Sequence, residues 1–406
     1  MRRADRALVA GVVGGVLLLT AACSGSTGGS GGGTGGGGGD ATGKPSAEAP
    51  KTSAAVVSVE PADGTKEVKP SGVLKVAVAS GKLTTVKVTG KDGAEVPGAV
   101  TPDGLGWAPT GNLAVSTEYQ VDAQAVDTAG IATSKKSTFT TLTPKKGAGP
   151  KDNVADNATY GVGMIVSLTF TTPVKDKEAV EKAVTFQTED NRVVKGHWFG
   201  NQRVDFRPEH YWKSNSKVTV KYDLKSVETA PGVYGEVNST QTFNIGRSRI
   251  SEADASSKRM VVQEEGKAPQ TLLISAGASS PASQNTFNGT MVVMGKEGTT
   301  VMDSSTVPNH EGAAYKVEMP HALRLTPSGT YVHGKNVAQS VFGNQNTSHG
   351  CIGLYDTAGD GSPSTPAGSF YDASIIGDVV TVKGSVGKQV APDNGMSGWN
   401  LNWSQW

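Results

Sequence analysis

The sequence predicts an all-β protein in which two sandwich domains precede a third β-structured region that carries the chemistry. Three observations support this. Val, Thr and Ser run through most of the chain, glycine is abundant at 53 residues, and aromatics make up only 6% of 406 residues. Such a composition favours short strands joined by turns over helical bundles. From Val56 onward, short apolar stretches alternate with turn signals. Two successive blocks also look like divergent copies of one unit. A chain of this length exceeds what one hydrophobic core serves, and about two to four domains are expected.

The N-terminus reads as a targeting segment. Arg2, Arg3 and Arg6 form a positive region, Ala7 to Leu19 an apolar one, and the small pair Ala21-Ala22 precedes Cys23. The apolar run is short of the ~20 residues a membrane-spanning helix needs. Leu19-Thr-Ala-Ala-Cys23 resembles a bacterial lipobox, whose cysteine is acylated and becomes the new N-terminus. Thr20 stands where that pattern usually has an aliphatic residue. Residues 1–22 are therefore expected to be a lipoprotein signal peptide and Cys23 the lipidation site. An ordinary secretory signal with an incidental cysteine is the plainer alternative. Residues 23–52, which include Gly35 to Gly39, have almost nothing to bury and are expected to be a flexible tether with an average reach of about 30 Å.

The next two blocks are expected to be domains at 53–145 and 150–248. Leu74-Lys-Val-Ala-Val78 and Thr85-Val-Lys-Val-Thr89 alternate with strand period, and Asp92-Gly93 and Asp103-Gly104 signal turns. Met164 to Phe170 and Lys217 to Lys221 do the same in the second block. Trp107-Ala-Pro109 followed by Ser116 to Val121 corresponds to Phe206-Arg-Pro208 followed by Ser214 to Val220. Both blocks close on a similar strand, Ser137 to Thr141 and Ser239 to Ile245. Repeated units of about 90 to 100 residues with many short strands read as immunoglobulin-like sandwiches. They have no cysteine for an inter-sheet disulfide.

Histidines thicken in the third region, 249–383. A tail at 384–406 ends with Trp399, Trp403 and Trp406 within eight residues. Such rings are costly to leave in water, so the tail is expected to pack back onto a domain. The informative segment is Tyr331-Val-His333-Gly334, followed after a loop by Thr347-Ser348-His349-Gly350-Cys351. Taken singly, a lone cysteine is more often an inert small hydrophobe, and a lone histidine a hydrogen-bonded structural residue. A free cysteine in an exported chain is exposed to oxidation, however, and its retention beside two histidines calls for a reason. Cysteine nucleophiles act as thiolates, and a nearby imidazole commonly generates one. His349 would share a face with Cys351 if both lay on a strand, and His333 could approach from a neighbouring strand or loop. Gly350 would let the backbone come close to a substrate carbonyl, offering amides as an oxyanion hole.

These segments resemble the L,D-transpeptidases with a YkuD-type catalytic domain. Their signature is a histidine, a gap, Ser/Thr-His-Gly-Cys, then Asn or Arg two residues on. Here 14 residues (334 to 347) separate His333 from Ser348, and Ser348-His-Gly-Cys351 matches in full. Val301 to Ser305, Ser328-Gly-Thr-Tyr-Val-His333, the paired sandwiches and the tail Trp399-Asn-x-x-Trp-x-Gln-Trp406 also look like parts of actinobacterial, mycobacterial-type members. The resemblance implies that Cys351 attacks the third residue of a peptidoglycan tetrapeptide stem and releases the terminal D-Ala. His333 would be the base, oriented by the Gly334 carbonyl, with His349 and Gly350 supporting thiolate and oxyanion. A second stem would accept the acyl group, giving a 3→3 cross-link. By alignment, Met302, Tyr315, Ser328, Gly329 and Ser348 would contact substrate. The resemblance further implies no cofactor and no metal, covalent inhibition by carbapenems, and a place on the outer face of the membrane, facing the cell wall. Two departures stand out. Gly353 occupies the usual Asn/Arg position, and the loop after His333 lacks the tryptophan of close relatives.

Other readings fare worse. A formal net charge of +1 with no long basic block leaves nucleic acid without electrostatic support. Serine transpeptidases need Ser-x-x-Lys and a later Lys-Thr-Gly, which is missing. A sortase would need a Thr-Leu-x-Thr-Cys strand, also missing, and the histidines have no zinc-ligand spacing. L,D-carboxypeptidase activity, with water as acceptor, uses the same acyl-enzyme and stays open, as does an inactive wall-binding lipoprotein.

Overall fold

The computed structural model describes residues 51–147, 149–236, 238–306 and 314–406. The signal segment, Cys23 and nearly all of the tether lie outside them. In the first sandwich, strands Val56–Glu60, Lys75–Ala79, Gly106–Pro109 and Gly98–Val100 pair in that order. The other sheet runs Thr65–Val68, Ala132–Thr141, Glu118–Asp127 and Gly81–Gly90. The period of two decides what enters the core. In Glu118–Asp127, Tyr119, Val121, Ala123 and Ala125 are buried while Glu118, Gln120 and Gln124 are exposed. The Asp92-Gly93 turn forms as its chemistry dictates. Gly93 takes φ 82°, and Asp92 Oδ1 accepts from the Ala94 N–H at 3.0 Å.

The second sandwich repeats the strand order: Lys151–Asp152, Val166–Thr169, Arg203–Pro208, Val194–Phe199 in one sheet, and Thr159–Tyr160, Asn238–Ile245, Ser216–Asp223, Val184–Thr188 in the other. Trp107 and Phe206, which correspond in sequence, sit in the third strand of their sheets and are both buried. In each sandwich the first strand of the second sheet runs parallel to its neighbour. The internal repeat is therefore a repeat of topology.

The third region is built on two sheets. One orders Gln270–Leu273, Arg259–Glu264, Arg249–Asp254, Val379–Lys383 and Gly289–Val292. The other orders Gly295–Asp303, Lys316–Arg324, Tyr331–Lys335 and Ile352–Tyr355. Met260, Leu272 and Met291 from the first meet Leu323, Val332, Ile352 and Leu354 from the second in one core. Helix Pro366–Ala373 closes that core with Ala367 and Phe370. It starts where Thr365 Oγ1 accepts from the Gly368 N–H at 3.1 Å and Pro366 needs no donor partner.

The tryptophan tail packs onto the second sandwich. Trp399 Nε1–H donates to Gly163 O at 2.8 Å and Trp406 Nε1–H to Lys195 O at 2.9 Å. The Arg207 guanidinium, 2% exposed, lies 4.7 Å from the Trp399 ring and 4.3 Å from the Trp406 ring, and donates to Leu401 O at 2.8 Å. Burial lowers its pKa to about 10, so it stays cationic at neutral pH and the ring faces stabilise it. Between the tryptophans, Asn400 accepts from the Thr290 N–H at 2.8 Å and donates to Thr290 O at 2.7 Å, tying the tail to the third region. Val292 and Val379 of that region belong to the second sandwich's core cluster. Trp399→Ala should therefore destabilise both by about 3 kcal/mol, read as a lowered urea midpoint of their joint transition.

Candidate active site

Strands Tyr331–Lys335 and Ile352–Tyr355 run parallel, with Val332 opposite Ile352 and His333 opposite Gly353. Parallel neighbours need a crossover connection, and the segment between them supplies the loop that carries Cys351. Cys351 thus precedes its strand by one residue, beside the strand that holds His333. His333 is 3% exposed and Cys351 7%.

Hydrogen bonds fix the orientation of the pair. His333 Nδ1 lies 2.8 Å from the Gly334 carbonyl oxygen. A carbonyl only accepts, so the proton sits on Nδ1 and Nε2 keeps its lone pair. Gly334 is glycine for a steric reason: a Cβ there would fall 2.2 Å from Asp356 Oδ2. Asp356 is fully buried and accepts from the Thr357 and Ser362 N–H groups and from Thr365 Oγ1. His321 Nδ1 lies 2.6 Å from its other oxygen. The Cys351 thiol is 3.5 Å from the Gly329 carbonyl, to which it donates.

The loop that ends at Cys351 is not a continuation of the strand. Gly350 has φ 108°, which a side chain would resist, and this turn separates the directions of His349 and Cys351. The expected shared strand face is therefore replaced by a turn. His349 instead stacks on Tyr315 with ring centroids 4.3 Å apart. Ser348 Oγ donates to the Cys351 carbonyl and fastens the turn, while its own backbone bonds Ala276 and Ala278. Met302 packs against Cys351, Ala322 and Tyr331. Ser328 accepts from Asn394 Nδ2 at 2.8 Å, and Gly329 takes φ 99°. One pocket, with about 530 Å³ of empty space, is lined by Met302, Tyr315, His333, Ser348, His349 and Cys351. An adjoining one is lined by Ser328, Gly329 and Gly350, and shares Tyr315 and His349 with the first.

Residues 248–360 match the L,D-transpeptidase catalytic domain, and residues 65–228 match the bacterial Ig domain. The chain is 33% identical to L,D-transpeptidase 2 of Mycobacterium tuberculosis over 370 residues, 90% of this chain and 86% of that protein. The chain belongs to the L,D-transpeptidase family. It is also 28% identical to L,D-transpeptidase 5 of the same organism over 357 residues, covering 86% of this chain and 76% of that one. A solved L,D-transpeptidase in complex with imipenem is 30% identical, covering 59% of this chain and all of that one, with a TM-score of 0.48.

In this family member, burial sets the resting charge state. It pushes the Cys351 thiol up to about 11 and the His333 imidazole down to about 4. Lys335 acts on both in one sense, favouring thiolate and disfavouring imidazolium. At neutral pH the pair rests as thiol and neutral imidazole. The sequence reading missed Lys335, Thr347, Val317 and Met319, which also line the pocket. For Lys335 a signal existed: on a strand, it shares the face of His333 two residues before it.

Alkylation of Cys351 by iodoacetamide should keep accelerating from about pH 7 to about pH 10, without the plateau that a thiolate–imidazolium pair would give. Gly334→Ala should lower acyl transfer about 100-fold by displacing the carbonyl that orients His333. Its alkylation rate should stay near that of the parent chain.

Proposed function

We propose that this chain cross-links peptidoglycan through a Cys351 acyl-enzyme, joining the third residues of two stems. The observation that carries this reading is the pairing of a nucleophile and a base with a free Nε2 on one pocket. The Cys351 sulfur attacks the carbonyl between the third residue and D-Ala of a donor tetrapeptide, and its proton passes to His333 Nε2. The amide nitrogen takes that proton as the C–N bond breaks, releasing D-Ala and leaving a thioester. The side-chain amine of a second stem then attacks the thioester, losing a proton to Nε2. Its new amide is the 3→3 link, and the proton returns to sulfur. The Gly350 and Cys351 amides stand beside the carbonyl that becomes tetrahedral, where donors stabilise developing charge. Water in place of the amine would make the same site an L,D-carboxypeptidase.

The leader pattern supports export, with acylated Cys23 holding the chain on the outer face of the membrane. The Gly-rich stretch after it would give the reach to meet the wall. Carbapenems offer a strained ring carbonyl to the same sulfur, and ring opening leaves the drug as an ester of the thiol.

Intact mass of the soluble chain after carbapenem treatment should rise by one drug mass, and Cys351→Ala should stay unmodified. A folded wild-type chain without an adduct would overturn the acyl-transfer reading. With disaccharide-tetrapeptide as donor and acceptor, cross-linked dimer is the expected product. Tripeptide alone would make the enzyme a carboxypeptidase.

A further inference from the structure

Gly353 stands where the family pattern has Asn or Arg, and the Lys335 stem from the neighbouring strand lies next to it. Its direct register partner is His333, so a side chain at 353 would rise beside the imidazole. A Cβ placed there would lie 3.4 Å from Lys335 Cδ and 3.6 Å from Lys335 Cβ. The lysine stem therefore lies over the glycine. Lys335 also follows His333 by two residues and lines the pocket with Cys351.

The ammonium is set but not neutralised. Nζ donates to Thr347 O at 3.1 Å and Thr347 Oγ1 at 2.7 Å, which uses two of its three N–H bonds. Among the described residues no carboxylate pairs with it. A half-buried cation held in place by neutral oxygens, beside a nucleophile and without an acid, suits an incoming anion.

We infer that Lys335 binds a carboxylate of the stem peptide, supplying from its own strand the polar contact that position 353 lacks. This inference rests on the acyl-transfer reading. Two donor carboxylates have the required chemistry: the terminal one of the leaving D-Ala, and the free one on a diacid third residue. Either would meet the remaining N–H of Nζ while the scissile carbonyl faces Cys351. A Cβ at 353 would lie closest to Ser275 O at 3.3 Å and in ordinary contact with the Lys335 stem, so a side chain there and the lysine would border the same part of the pocket.

The test compares wild type, Lys335→Met and Lys335→Arg on three donors: the disaccharide-tetrapeptide, the same with a D-alaninamide terminus, and the same with the third residue's free carboxylate amidated. Wild type should disfavour one amidated donor about 10-fold or more, which identifies the carboxylate. Lys335→Met should raise KM for the free-acid donor by about 10- to 100-fold and lose that discrimination, whereas Lys335→Arg should keep most of it. Iodoacetamide alkylation of Cys351 reports folding and the thiol itself; because the Lys335 charge favours the thiolate, it should slow in Lys335→Met, but by less than KM for the free-acid donor rises. Unchanged KM and discrimination in Lys335→Met would overturn this inference alone. So would a fall in kcat matched by an equal fall in alkylation, which would make Lys335 a residue acting on the thiol. A wild type that no donor and no carbapenem acylates would overturn the acyl-transfer reading first, and this inference with it.

Discussion

The parallel pairing of Tyr331–Lys335 with Ile352–Tyr355 is the constraint on which the site depends. It puts His333 level with Gly353 and leaves Cys351 just outside the strand, free to turn toward the base. Slipping the register by one residue would send His333 to the opposite face, where the core of Val332, Ile352 and Leu354 lies. The apolar side chains on that face therefore hold the catalytic geometry. Burying them and placing the imidazole are one event.

The same burial explains why both reactive groups rest uncharged. A low-dielectric surround disfavours thiolate and imidazolium alike, and it also shields the Cys351 thiol from oxidants that act on the thiolate. Behind His333, Asp356 gathers four partners in one small volume, two backbone amides, Thr365 and His321, and leaves no room for a side chain at Gly334.

Sequence alone revealed the fold through features that repeat locally. Alternation in Lys217 to Lys221 and the Asp-Gly turns need only neighbours to act, and Trp107 and Phe206 disclosed the repeat because each fills the same core position. Cys351 and His333 were legible because the gap between them is short and their residue types are chemically specific. What stayed hidden is long-range. Nothing near Gly353 in sequence says that a lysine eighteen positions earlier covers it, since only strand pairing joins them. The Asp356–His321 pair is likewise brought together by sheet order. The placement of Cys351 on a turn was also not foreseen, because His349-Gly350-Cys351 has strand spacing and only the positive φ at Gly350 breaks it.

The tail bears on how the molecule explores its surroundings. Arg207 between Trp399 and Trp406, Asn400 on Thr290, and Val292 and Val379 inside the sandwich core remove the hinge that would otherwise sit between the second sandwich and the third region. Those two parts then translate and rotate as one load. Any change in the pocket's direction relative to the first sandwich has to come from the chain before Lys146, because Lys146–Gly147 and Lys151–Asp152 are already hydrogen-bonded to strands of the second domain.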